Sequence, residues 1–268
     1  ICPDKNPKQN FQIDIFQLPR RHAMFGYSAA FALGAVASVF LTPIWEEYKA
    51  LNTSPPPIVL RYFDIRGRAE PIRLYLAELG LEHQDVGFSG DEWSSDLKAK
   101  WSKQGLIPFG QVPSLSYGST NLVQSHAIMR FLARKHDTFY RNASDEDKAG
   151  IEMIADGSED IRKRIMKIKY DASKSDAEKK DAFLEYCAST ALEWFKKLET
   201  IVKSQSQSSP SYADFLLFDL IDIHEALCPT SAFAALMESN PGLAVLQMYI
   251  QNRPGVNAYL NSEKRRKF

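Results

Sequence analysis

Tyr62, Arg68, Gln111, Val112, Pro113, Gln124 and Ser125 are the residues whose types and spacing best suit them to chemistry. They fall in three short stretches: Arg61–Pro71 (RYFDIRGRAEP), Ile107–Pro113 (IPFGQVP) and Leu122–Leu132 (LVQSHAIMRFL). A phenol hydroxyl aimed at a sulfur stabilises a thiolate. That matters because a free thiol has a pKa of about 8.5 and the thiolate is the nucleophile. Arg68 opens a helix, where its charge opposes the dipole, so a role beyond surface charge is expected of it. Ser125 is a natural N-cap, and the unpaired amides of the helix it opens suit a carboxylate. The cysteines Cys2, Cys187 and Cys228 form no CxxC and no metal-like cluster with the five histidines. Their spacing argues against a disulfide scaffold or a zinc site. A thiol reacting here would therefore be supplied by a ligand.

The elements that must position these residues follow from punctuation and period. Ile58–Phe63 reads as a buried strand. Glu70–Leu79 reads as a helix with Pro71 in its first turn and Gly80 as its stop. Leu81–Phe88 reads as a second strand and Asp91–Gln104 as helical or irregular. Val112–Ser116 and Asn121–Val123 form a hairpin around Tyr117-Gly118, and Ser125–Lys135 is a further helix. After a charged hinge, His136–Lys148, helical spacing covers Ile151–Tyr170, Ala177–Val202, Tyr212–Leu227, Ala232–Ser239 and Gly242–Gln251. Loops fall at Asp171–Ser175 and Ser204–Ser211. The chain thus divides into a mixed domain, 58–138, and an all-helical one, 139–268, behind an extension, 1–57.

Lys plus Arg and Asp plus Glu number 33 each, so no global field draws in nucleic acid. There is no Walker A loop and no GxGxxG. Met24–Trp45 carries no charged residue. As a helix it would span roughly 33 Å against about 30 Å of hydrocarbon, which predicts a single-pass transmembrane helix. Trp45 and Tyr48 sit at an interfacial level, and Gly26, Ala30, Gly34 and Ser38 form a small-residue stripe for a neighbouring helix. Arg20 and Arg21 before the run, with Glu46 and Glu47 after it, place the N-terminal side in the cytosol or matrix. A start at Ile1 implies a missing upstream piece. Ala50–Pro57, ending in three prolines, is a stiff linker.

With these residues in view, 58–268 resembles the cytosolic-type glutathione S-transferases, nearest the tyrosine-dependent classes and closest to sigma through YFDIRGRAEPIRL and IPFGQVP. The terminal RPGVNAYLNS belongs to the same likeness. The resemblance implies an α/β plus all-α fold: a thioredoxin-like βαβαββα domain followed by a helical bundle. It makes Tyr62 the catalytic hydroxyl, supported electrostatically by Arg68. Val112–Pro113 becomes a cis-proline turn whose backbone pairs with the cysteinyl unit of glutathione, with Gln111 on the same edge. Gln124 and Ser125 hold the γ-glutamyl end. The glycyl end takes a tryptophan and a lysine. Trp93 and Trp101 compete for the first role, Lys100 and Lys103 for the second, with Trp101 and Lys103 the expected pair. Asp160, in MIADGSEDI, reaches a γ-glutamyl amine across a dimer interface. Ser211 and Asp214 form a structural capping box.

The expected function is activation of the thiol of glutathione, the implied cofactor, for attack on an electrophile or for isomerisation. The expected partners are glutathione, an unidentified electrophile and a second copy of the chain. The apolar run favours an alternative: a catalytically weak accessory subunit of a respiratory complex in the mitochondrial inner membrane. No nucleic acid is expected.

Overall fold

The computed structural model describes residues 56–204 and 209–268. The chain divides into two units, Ile1–Pro55 and Pro56–Phe268, and all described residues lie in the second. The apolar run Met24–Trp45 lies outside the described residues. Among them, no helix is long and apolar enough to cross a membrane.

The chain enters through β1, Ile58–Phe63, whose inward residues Ile58, Leu60 and Tyr62 alternate with half-exposed ones. That period of two is what a sheet with one buried face requires. A tight turn, Gly67–Ala69, leads into α1, Glu70–Glu78. Pro71 stands in the first turn of α1, and Gly80, at φ 64°, follows its end. β2 is Gln84–Phe88, shorter than the sequence implied. The next stretch is helical: a single turn at Gly90–Glu92 capped by Ser89, a wide π turn at Trp93–Leu97, and α2, Lys98–Lys103. β3, Ser114–Tyr117, and β4, Thr120–Val123, form the hairpin, and α3 is Ser125–His136. The sheet order is β2-β1-β3-β4, with β1 parallel to β2 and antiparallel to β3.

The hinge predicted at 136–148 is itself largely helical. Asp137 caps α4, Thr138–Asn142, by accepting from the Tyr140 N–H at 3.0 Å. Ser144 then caps α5, Asp145–Lys169, whose acidic first turn has no apolar period to betray it. The helix expected over Ala177–Val202 divides into α6, Asp176–Tyr186, and α7, Leu192–Ser204, joined by a π turn at Cys187–Ala191. Then come α8, Tyr212–Leu227, α9, Thr230–Glu238, α10, Pro241–Gln251, and α11, Pro254–Leu260.

α8 is buried along most of its length and packs on both α5 and α1, so it is the axis joining the two halves. The Asp214 carboxylate accepts from the Ser211 N–H at 2.7 Å and its hydroxyl at 2.9 Å, anchoring the start of α8. α11 lies against α1, where a Cβ on Gly255 would come within 2.1 Å of the Ala77 carbonyl oxygen. Only glycine permits that approach. Cys187 and Cys228 are buried side by side and bridged, correcting the expectation drawn from their spacing. Cys187 opens the π turn after α6 and Cys228 follows the end of α8, so their pairing depends on tertiary packing, not on their separation in the chain.

Candidate active site

The strand β1 and the helix α1 are joined by Asp64–Ala69, and this turn is the best-anchored irregular backbone near the site. Four consecutive carbonyls in it each accept from a side chain. Arg73 Nη1 donates to Ile65 O (3.1 Å) and Arg66 O (3.2 Å), Arg162 Nη2 to Gly67 O (2.9 Å), and Ser125 Oγ to Arg68 O (2.9 Å). The donors come from α1, α5 and α3, three separate elements meeting at one turn.

Two of these donors are buried arginines, and each has its counter-charge. Arg73, 1% exposed, pairs with Asp85 (2.8 Å) and Glu70 (3.3 Å). Arg162 is paired with Asp219. Burial pushes the Asp219 carboxyl up to about 6, with Arg162 opposing the shift. A buried guanidinium without such a partner would be strongly destabilising. These side chains therefore trade desolvation for a fixed turn.

Tyr62 is 7% exposed, and its ring belongs to the main core. Its hydroxyl leaves that core at the turn. The oxygen accepts from the Arg68 N–H at 3.1 Å, and a Cβ on Gly67 would stand 2.8 Å from it. Gly67 has φ 46°, a conformation glycine adopts at little cost. Among the described residues the Tyr62 hydroxyl hydrogen meets no protein acceptor. The Arg68 side chain turns outward and pairs with Glu159 at 2.8 Å.

Beside this turn opens a cleft of about 770 Å³. Phe63, Arg68, Gln111, Val112, Pro113, Gln124 and Ser125 contribute to its wall; Tyr62 lies beneath the wall at the Arg68 end. The Val112–Pro113 bond is cis. Among the described residues the N–H and C=O of Val112 take no backbone partner, leaving a free edge just before β3. An extended ligand backbone fits such an edge. Gln124 adopts φ 72° and ψ 112° and makes no side-chain cap. A non-glycine residue in that region costs about 1–3 kcal/mol. The first amides of α3 stay unpaired beyond it, and together with the helix dipole they form an anion site. The Gln124 amide also reaches the Gln111 side chain at 3.1 Å, tying the two edges of the cleft together.

The remaining expectations are redistributed. Trp101 does not line the cleft; it is buried with Phe88, Ile107 and Val123, and Arg61 lies over it. Trp93 lines the cleft instead, stacked on Phe88 at 5.5 Å. Lys100 and Lys103 are exposed and outside the cleft. Lys163 lines the cleft from α5, and on the mixed-domain side Lys98 approaches the wall, its Cε 3.6 Å from where a Cβ on Gly110 would lie. Sequence missed it, because the π turn shifts the phase of every residue that follows. Asp160 is exposed and is not one of the residues lining the cleft, although Lys163, with which it pairs at 3.5 Å, is. Its neighbour Glu159 lines that cleft. The helical phase of Ile151, Ile154, Ala155, Ser158 and Ile161 carried this signal: Glu159 flanks the buried stripe and Asp160 opposes it. His126 also lines the cleft, 3.3 Å from Asp156, and burial holds its imidazole below the ordinary range.

The chain matches the description "Glutathione S-transferase, N-terminal domain" over residues 58–134 and "Glutathione S-transferase, C-terminal domain" over 159–263. It is 32% identical to glutathione S-transferase P 1 of Xenopus laevis, with 79% of this chain and 95% of the relative covered. It is also 32% identical to glutathione S-transferase P of Caenorhabditis elegans, over 75% of this chain and 91% of the relative. The solved Pi-class glutathione S-transferase of Onchocerca volvulus superposes with a TM-score of 0.65 at 29% identity, covering 76% of this chain and 91% of that one. These relatives carry class P names, where the sequence motifs had pointed to sigma.

Proposed function

The chain belongs to the glutathione S-transferase family, and from that premise we propose that its cleft binds glutathione as a substrate, not as a resident cofactor, and activates the thiol. The free edge at Val112 pairs with the cysteinyl backbone. The open N-terminus of α3, with Gln124 and Ser125, takes the γ-glutamyl carboxylate. Trp93 and Lys98 serve the glycyl end, replacing Trp101 and Lys103. Asp160, which does not line its own cleft, serves the cleft of a second copy in a homodimer. The class reading is pi-like, following the names of the relatives.

One observation carries this reading: the Tyr62 hydroxyl accepts from Arg68 N–H and has its own hydrogen left over. A sulfur seated at the Arg68 end of the cleft takes that hydrogen bond. The bond favours the thiolate over the thiol. The thiolate then attacks an electrophilic carbon, forming a C–S bond while the leaving group departs with its electron pair. Arg162 holds the Gly67 carbonyl and Arg68 pairs with Glu159, so both fix the turn while their charges are balanced. The deciding experiment is conjugation of an aromatic chloro-nitro substrate by wild type and Tyr62→Phe; equal rates would remove the hydroxyl from the mechanism.

Attachment to the mitochondrial inner membrane, or membership of a respiratory complex there, is supported by the charge-free run Met24–Trp45 alone. Alkaline carbonate extraction of the native protein tests it: release into the supernatant would remove the anchor.

A further inference from the structure

Residues 263–268 (EKRRKF) lie beyond the last helix and take no part in the cleft wall, yet they are bonded to the turn that carries the site. The Lys267 carbonyl accepts from the Arg66 N–H at 2.9 Å. Arg266 pairs with Asp64 at 2.6 Å, and its guanidinium lies over Gly87, where a Cβ would come within 3.2 Å of it. Arg265 pairs with Asp222 at 2.9 Å, the carboxylate that also takes Arg66 at 2.6 Å. The Phe268 ring meets two cations, Arg66 at 4.8 Å and Lys169 at 3.8 Å from its centroid. Asp64 and Arg66 are thus both held from outside the mixed domain. Two residues further on is the Arg68 amide that meets Tyr62.

We propose that Glu263–Phe268 is a positioning strap: by holding Asp64 and Arg66 it keeps the Arg68 amide against the Tyr62 hydroxyl, and so sets the acidity of a thiol bound in the cleft. The carbonyl side of the turn is already fixed by Arg73, Arg162 and Ser125. Among the described residues the strap supplies the backbone acceptor for the Arg66 N–H. The Arg66 N–H shares one planar peptide unit with the Ile65 carbonyl, so the strap and Arg73 grip that unit from its two sides. Several strap contacts are ion pairs or cation–π contacts, and Asp64 is largely exposed, so salt should loosen them. The catalytic consequence rests on the glutathione reading above; the mechanical one does not.

Residue-resolved amide exchange on the full chain tests the strap. In Arg266→Gln/Phe268→Ala, the amides of Arg66 and Arg68 should exchange about tenfold faster or more, while those of α8 keep their rates. Asp64→Asn, which breaks the same link from the turn side, should act in the same direction. Phe268→Tyr, which keeps the ring against Arg66 and Lys169, should leave exchange at the wild-type rate. Unchanged exchange at Arg66 and Arg68 in folded variants would overturn the strap. In parallel, ultraviolet titration of the thiolate on added glutathione should show its pKa rising in the variants, with kcat falling more than KM for glutathione changes. Faster exchange with unchanged thiol acidity would overturn the tuning. Wild-type protein that binds no glutathione would instead overturn the proposed function, leaving the exchange result to decide the strap.

Discussion

The backbone N–H of Arg68 donates to the Tyr62 hydroxyl oxygen across 3.1 Å, linking the penultimate residue of β1 to the turn that leads into α1. The bond occupies the oxygen from the protein side and leaves the hydrogen for a ligand. Tyr62→Phe should therefore keep the fold, because the ring does the packing. It should lower kcat/KM by about 10²–10³-fold, the usual effect of removing one donor from a developing anion. Steady-state kinetics with matched circular dichroism checks both halves.

Gly67→Ala should be more damaging than its size suggests. The added methyl would meet Tyr62 Cε1 at 2.6 Å, at a residue whose φ is 46°. The left-handed backbone alone costs about 1–2 kcal/mol for an alanine. The methyl would also displace the phenol. Both the melting midpoint and turnover should fall; a variant with wild-type turnover would show that the phenol's position is not what the turn protects.

Asp219→Ala would leave the Arg162 guanidinium buried without its carboxylate. Breaking such a pair from one side costs about 3–5 kcal/mol. Urea unfolding should show a loss of that order. Arg162 also holds the Gly67 carbonyl, so activity should fall even at temperatures where the variant remains folded.

His224 is buried without a net charge. Its Nδ1–H donates to the Leu220 carbonyl at 2.7 Å, and its Nε2 accepts from the Tyr186 hydroxyl at 3.1 Å. Burial pushes its pKa from 6.5 down to about 4. Between those values the unfolded chain binds more protons than the folded one, so stability rises with pH. The contribution is complete above the unfolded value and is lost as pH falls toward the folded one, amounting to about 3 kcal/mol. Asp219, raised by burial, acts in the opposite direction, so the comparison that isolates His224 is wild type against His224→Gln. The difference in unfolding free energy should narrow as pH falls between those two limits. A constant difference would mean that the imidazole keeps the same pKa in the folded and unfolded chain.

Gly255→Ala should lower the melting midpoint without changing turnover per folded molecule. The methyl would collide with the Ala77 carbonyl where α11 meets α1, away from the cleft. Overpacking of this kind costs about 1–3 kcal/mol.

Much of the fold was legible because its signals are local. The alternation in Ile58–Phe63, the proline and glycine bracketing α1, the Tyr117-Gly118 turn and the Ser125 start of α3 each depend on residues a few positions apart. The hidden elements lacked such signals. α4 is a single turn inside a charged hinge, the first turn of α5 is wholly acidic, and α11 is short. The π turn at Cys187–Ala191 leaves no mark in the apolar period long enough to read.

The sequence by itself determined the order of the strands and of the helices with a clear apolar period, and that a phenol, a Val-Pro turn and an open helix start would follow one another along the chain. Those facts are set by neighbours in the chain. Only the tertiary structure decided that Trp93 and not Trp101 faces the cleft, that Glu159 lines it while Asp160 does not, that Cys187 meets Cys228, and that Arg73, Arg162 and residues 263–268 converge on one turn. Each of these is a contact between residues far apart in sequence. A charged side chain reads as surface until its distant partner is known, because only that partner makes its burial affordable.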